Sequence, residues 1–269
     1  MFLLVPMAQT VWFSLFDWDG ITTATWAGLG NYVEVVTAPW FLEGLGHILV
    51  LLLFYAVLPI AFGMLLAAIV GRGRIRGSGA FQTLLFLPQV ITPVVLGLAW
   101  GAIYAPQGVL NQVLRLIGLD GLTRSWLGDF DTALAAVGFI GTWAATGLCF
   151  VLFTAGISAI PAELFDAARM DGAGPIREFF AVTLPGLMGQ LVIALTLTVI
   201  AAVRTFDLIY VTTRGGPGTS TSVPAFQIYN LAFNQGAVGT GSTVAVVLSV
   251  LILALTYLIN RLSPAEDEA

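Results

Sequence analysis

Charge is scarce in this chain. Of its 269 residues, 9% are Asp, Glu, Lys or Arg and 58% are hydrophobic, whereas soluble domains are about one quarter charged. A mean hydropathy of +0.95 excludes an ordinary soluble fold, which cannot hide apolar runs of twenty or more residues. Lysine is absent, and all ten basic residues are arginine. The one cysteine, Cys149, lies within an apolar run, which rules out a disulfide framework or thiolate metal site within the chain and leaves packing as its role. The one histidine, His47, has no second histidine to complete a metal site or proton relay and is read as an interface residue. No nucleophile with a base and no metal-ligand cluster occurs, which argues against a membrane-embedded enzyme. No Walker pattern occurs either: Gly215, Gly216, Pro217 and Gly218 lack the lysine of a phosphate loop. The net charge of -5 comes partly from Glu266, Asp267 and Glu268, and gives no ground for nucleic acid as a partner.

What the chain has instead is long apolar runs, at Met1 to Phe16, Leu45 to Val70, Ala80 to Tyr104, Thr132 to Ile160, Leu187 to Val211 and Ser242 to Ile259. Crossing the hydrocarbon core takes about 20 residues of helix. Lipid offers no partner for backbone N–H and C=O groups, and nothing here alternates with the period two of a barrel. The expected fold is therefore all-α, a polytopic membrane helical bundle of about six transmembrane helices, with residues 1 to 269 as one transmembrane domain. The first run begins at Met1 without a basic n-region or A-x-A site, so a cleaved signal peptide fits poorly. It reads as a shortened first helix or as one whose true start lies upstream.

Arginine placement predicts the orientation, because Lys and Arg concentrate in short cytoplasmic loops. Cytoplasmic termini put Arg72, Arg74, Arg76, Arg169, Arg177 and Arg261 inside and Arg115, Arg124 and Arg214 outside. Among the external segments, Asp17 to Gly44 carries Trp18, Trp26, Tyr32 and Trp40, an interfacial aromatic signature. Gln107 to Leu119 places Val109, Leu110, Val113, Leu114 and Ile117 at helical spacing, predicting a short amphipathic helix along the outer surface. These surfaces either receive an external partner or seal the rim of the bundle.

The internal loop after the fourth run, residues 160 to 185, sits in SAIPAELFDAARMDGAGPIREFFAVTLPGL. Pro161 and Glu163 suit a helix start, Gly172 a left-handed helix end, and Gly174 with Pro175 the start of a second helix. Ala168 and Gly172 lie four apart and leave one side nearly smooth, bordered by Asp166, Arg169 and Asp171. Ile176, Phe179, Phe180 and Val182 are expected to pack the second helix against the bundle. By itself this reads equally as a rigid knob or as an ordinary connector.

The same stretch resembles the EAA loop of bacterial ABC importer permeases, whose pattern is Glu-Ala-Ala, three residues, Gly, nine residues, Ile, one residue, Leu-Pro. Asp166, Ala167, Ala168, Gly172, Val182, Leu184 and Pro185 fall on it in register, with Asp for Glu and Val for Ile. The resemblance implies a type I ABC importer permease fold in the bacterial inner membrane. Asp166, Ala167, Ala168, Met170, Asp171 and Gly172 would dock a cytoplasmic ATPase subunit. The segment RTFDLIYVTTRGGPGTSTSVPAFQIYNLAFNQGAVGTGSTVAVVL, with Leu29 to Tyr32 and Phe86 to Pro88, is similar to the carbohydrate permeases of the maltose-transporter type. That implies a heterodimer with a related second permease, two ATPase subunits and an external solute-binding protein delivering sugar. ATP and Mg would belong to the ATPase subunits, and no cofactor to this chain.

Two polar sets read either as a pathway or as structure, the first as a paired contact and the second as a proline kink satisfied by a neighbouring helix. Arg204 and Asp207, three apart in the fifth run, can pair on one helical face; such groups at membrane depth face protein or a water-filled cavity. They read as substrate contacts or as a structural pair, with Phe206 and Tyr210 offering aromatic faces to a sugar. Gln89 and Thr92, beside Pro88 and Pro93, and Thr142, Trp143 and Thr146 on the fourth run form a second candidate lining, since proline frees backbone carbonyls. The alternative class is a secondary transporter driven by protons or sodium, for which Asp207 would be the coupling carboxylate, but the chain shows no internal repeat.

Overall fold

The computed structural model describes residues 1–70 and 77–262; Arg72, Arg74, Arg76 and the acidic tail lie outside the described residues. In chain order, α1 (Leu4–Phe13) leads through a hairpin of β1 (Phe16–Asp17) and β2 (Thr25–Trp26) to α2 (Gly30–Thr37). α3 (Pro39–Leu52) runs through a π turn at Leu53–Val57 into α4 (Leu58–Val70). α5 (Ser78–Val90), α6 (Pro93–Tyr104), α7 (Val109–Leu116) and the long α8 (Ala133–Ala159) follow. α9 (Ala162–Met170) and α10 (Pro175–Glu178) precede a second π turn at Phe179–Thr183, α11 (Leu184–Gly186) and α12 (Met188–Val203). Then come α13 (Asp207–Thr212), α14 (Pro224–Tyr229), a third π turn at Asn230–Asn234 and α15 (Val238–Leu262).

Among the described residues, five stretches are long and apolar enough to cross a membrane: Pro39–Val70, Pro93–Leu116, Ala133–Ala159, Met188–Thr212 and Val238–Leu262. α1 has ten residues, about 15 Å of helix, and falls short of the ~30 Å core. The expected third span, Ala80 to Tyr104, is not continuous. α5 ends at Val90, Ile91 is extended at ψ 134°, and α6 restarts at Pro93, because proline disfavours helical geometry in the residue before it. The all-α expectation holds apart from the two-residue strands, which pair Phe16 with Trp26 and Asp17 with Thr25.

Two of the π turns have a cause visible in the sequence. A proline inside a helix lacks an N–H and clashes with the carbonyl four residues back. Pro59 follows the first π turn and Pro185 the second, and in each the N–H before the proline reaches five residues back: Leu58 to Leu53 O, and Leu184 to Phe179 O. The widened turn lets the helix run past the ring. It also orphans an acceptor, since Pro59 has no N–H to give Phe54 O. Thr142 Oγ1 of α8 donates to Phe54 O at 2.5 Å.

The chain divides into two compact units. The first comprises Met1–Leu51, Pro93–Gly138 and Ala202–Leu255. Its core includes Val35, Phe41, Leu231 and Val244. The end of α1 is tied down by hydrogen bonds from Asn31 Nδ2 to Ser14 O (3.0 Å) and Phe16 O (2.9 Å), and from Thr243 Oγ1 to Ser14 O (3.1 Å). α7 forms as expected and is anchored by the buried Asn111, which accepts from Trp126 Nε1 at 2.9 Å and donates to Arg124 O at 2.8 Å. The second unit comprises Leu52–Thr92, Phe139–Ala201 and the chain from Thr256. Cys149, Phe150, Phe153 and Leu187 are wholly buried in its core, where Cys149 packs as a small apolar group. Gly63 lets α4 approach α8: a Cβ there would sit 2.6 Å from Cys149 Cβ and 2.8 Å from the Phe150 nitrogen.

Candidate functional site

The loop from Pro161 to Pro185 folds into an elbow within the second unit. Pro161 stands immediately before α9, with Glu163 in its first turn, where a carboxylate complements the partial positive charge of unpaired N–H groups. At the other end the Gly172 N–H bonds Arg169 O at 3.0 Å and the Ala173 N–H bonds Ala168 O at 2.9 Å. These are the paired closures of a Schellman motif, and they place Gly172 at φ +76°. Gly172 is therefore the residue past the helix end, not a member of its small face, and a Cβ there would meet nothing within 4 Å. Its backbone conformation explains the glycine. α10 then begins at Pro175, whose fixed φ suits a first helical position.

No residue of α9 is buried. Asp166, Ala167, Met170 and Asp171 are exposed and Ala168 is half-buried; Met170 is 88% exposed and Leu164 52%. The expected packing of the second helix is corrected in part by the structure: Phe179 and Val182 are half-buried. Ile176 and Phe180 are exposed, while Glu178 and Thr183 are the buried residues of that stretch. Ile176, Phe179 and Phe180 line an open apolar cavity of about 490 Å³ against Met64, Leu65 and Ile69 of α4. The elbow is closed instead by a charge contact that the sequence reading overlooked, Arg169 Nε to Glu178 Oε2 at 3.2 Å.

In the first unit, the fifth span is interrupted where its polar residues lie. α12 stops at Val203, Arg204 to Phe206 are non-helical, and α13 begins at Asp207. Arg204 and Asp207 are thus not neighbours on one helical face, and among the described residues no ion pair joins them. Both are exposed. Phe206 and Tyr210 are brought together, stacked at 5.3 Å and 25°. Tyr229 closes on both, at 5.6 Å from Phe206 and 5.1 Å from Tyr210, and Phe233 lies 5.3 Å from Tyr229. Tyr229 and Phe233 belong to the Ile-Tyr and Ala-Phe pairs of the quoted segment, and that spacing was the signal that could have joined them to Phe206. The Tyr210 and Tyr229 hydroxyls stand 3.5 Å apart. That hydrogen bond holds the Tyr229 phenol above its ordinary value of 10.0.

In the second unit, Trp143 and Thr146 share with Pro88 an apolar cavity of about 480 Å³, also lined by Phe81 and Phe139. Gln89 and Thr92 are exposed and lie outside its lining. The Thr146 hydroxyl donates to Thr142 O at 2.7 Å, and Thr142 serves Phe54 O, so these threonines act first as backbone donors. His47, read as an interface residue, places Nδ1 2.7 Å from Ser222 O within the first unit, where it donates as N–H.

A family model described as binding-protein-dependent transport system inner membrane component matches residues 59–265. Over 278 residues the chain is 34% identical to the diacetylchitobiose uptake system permease protein NgcF of Streptomyces coelicolor, covering 97% of this chain and 78% of that protein. It is also 34% identical to the trehalose/maltose transport system permease protein MalF of Thermococcus litoralis, over 95% of this chain and 86% of that one. A solved bacterial alginate ABC transporter, in complex with an alginate pentasaccharide-bound periplasmic protein, contains a chain of the same fold. The TM-score is 0.82 at 21% identity, covering 98% of this chain and 88% of that one.

Proposed function

The chain belongs to the binding-protein-dependent transport system inner membrane component family, and from that premise we propose that it is the membrane-spanning subunit of an ATP-driven importer of a sugar or sugar-like solute. The reading rests on α9. Its nine residues, none of them buried, carry Asp166, Ala167, Ala168 and Met170 of the docking pattern, and the exposed Asp171 and Gly172 follow at its end. In this reading two cytoplasmic ATPase subunits bind ATP and Mg and hydrolyse the nucleotide, and one of them receives α9. A related second permease completes the pathway, and an external binding protein delivers the solute. Both termini lie on the cytoplasmic side of the bacterial inner membrane, in keeping with the arginine distribution.

The solute is proposed to pass the aromatic group of Phe206 and Tyr210, joined by Tyr229 and Phe233. Aromatic faces suit the C–H surfaces of a sugar ring, and non-helical backbone at membrane depth is tolerated where it lines a protein cavity. Arg204 and Asp207 flank this group, and Gln89, Thr92, Trp143 and Thr146 are the candidate contacts of the second unit. The relatives' named solutes, diacetylchitobiose and trehalose or maltose, support the sugar class.

The test is purification of the tagged chain from its own membranes, followed by reconstitution. An ATPase subunit and a second permease should come with it, and ATP hydrolysis should rise when the loaded binding protein is added. Ion-driven uptake by the lone chain in vesicles refutes the proposal. Within it, Tyr229→Ala should raise the solute concentration for half-maximal uptake several-fold, from loss of about 0.5–1.5 kcal/mol of aromatic contact; an unchanged value would remove the aromatic group from the pathway.

A further inference from the structure

Glu178 is an unexpected residue where it stands. It closes α10 between Ile176 and Phe179, and its side chain is 5% exposed. Burying a carboxylate is costly unless it is paired, and a buried ion pair seldom stabilises a fold more than apolar side chains of similar volume. What the pair does supply is a fixed direction for the carboxylate, toward a defined partner. That partner is Arg169, in the last turn of α9, at 3.2 Å, and the same guanidinium reaches Asp166 at 3.5 Å. Arg169 therefore stands between the carboxylate of the docking pattern and a buried carboxylate on the far side of the elbow.

The chain between the two anchors has little freedom. The Schellman closure fixes Gly172, Pro175 fixes the start of α10, and the Glu178 N–H bonds Gly174 O at 2.9 Å. Beyond Glu178 the π turn leads to the buried Thr183 and to Leu187 in the core of the second unit. We propose that the Arg169–Glu178 pair is a clasp that fixes the angle of α9 against this unit. A displacement of α9 is thereby carried into the stretch leading to α12 instead of being lost in the loop. Arg169 and Glu178 are then positioning residues for coupling, a role that rests on the importer reading above.

The test uses the complete reconstituted transporter with its ATPase and binding protein. It reads three quantities: ATPase recovered with the permease, ATP hydrolysis without binding protein, and solute moved per ATP. Glu178→Met keeps volume and removes the acceptor. Solute per ATP should fall about tenfold, the effect of losing ~1.4 kcal/mol of a charge-assisted contact, while ATPase recovery and basal hydrolysis persist. Glu178→Gln, which retains an acceptor, should hold an intermediate ratio. If Glu178→Met does not accumulate, the intermediate ratio of the near-isosteric Glu178→Gln carries the test by itself. A wild-type ratio in the variant overturns the clasp alone, and so does parallel loss of ATPase recovery, which marks a docking or folding role. A wild-type chain that recruits no ATPase overturns the importer reading and the clasp with it.

Discussion

Replacing Thr142 by valine removes one hydroxyl from a site where the backbone itself created the need for it. Leu58 spends its N–H on Leu53 O, and Pro59 has none to offer. Phe54 O consequently depends on Thr142 Oγ1, 2.5 Å away on a residue only 3% exposed. Leaving a buried carbonyl without a donor costs about 1–3 kcal/mol in soluble proteins, and interhelical hydrogen bonds within membranes average ~0.6 kcal/mol. The expected loss for Thr142→Val is therefore about 1 kcal/mol, a shift of roughly fivefold in the folding equilibrium. Unfolding by SDS in mixed micelles, followed by circular dichroism, measures it.

The sharper measurement is a double-mutant cycle with Pro59→Ala. Alanine at 59 restores a backbone N–H to α4, so Phe54 O gains a donor within its own helix and Thr142 becomes dispensable. The cost of Thr142→Val should then drop by more than half in the Pro59→Ala background. Equal costs in both backgrounds would refute the link between the π turn, the proline and the threonine.

Two other expectations follow from local geometry. Gly172→Val should lower uptake and transport-coupled ATPase activity while membrane insertion persists, because a β-branched residue resists φ +76° by more than about 1 kcal/mol. Gly172→Asn, which tolerates that conformation, should retain more activity; equal activities would show that backbone conformation is not what position 172 supplies. In the hairpin, Asp19 Oδ1 accepts from the Ile21 and Thr22 N–H groups at 2.8 and 2.7 Å, and these bonds hold its carboxyl below the ordinary value of 3.8. A depressed carboxyl supports the folded turn above that ordinary value and loses the support as pH falls through the lower folded one. Amide protection factors at Ile21 and Thr22 should hold at neutral pH and fall only in acid below 3.8, whereas Asp19→Ala should remove that protection at neutral pH already.

Much of this protein was legible without coordinates. Scarce charge and long apolar runs require helices in lipid, because no other partner exists for the backbone, and this alone dictated the all-α class. The shape of the loop from Pro161 to Pro185 was legible because punctuation is local: Pro161, Gly172 and Pro175 act on the few residues beside them, and they sit where α9 and α10 begin and end. Tertiary structure decided what depends on pairs distant in sequence or on breaks within a span. The π turn at Leu53–Val57 needed Thr142, far along the chain, to become tolerable. The interruption at Arg204–Phe206 separated two charges that spacing had placed on one face, and gathered Tyr229 and Phe233 onto Phe206 and Tyr210. The closure of the elbow fell to Arg169 and Glu178, nine residues apart, because only a fold that buries Glu178 makes that ion pair necessary.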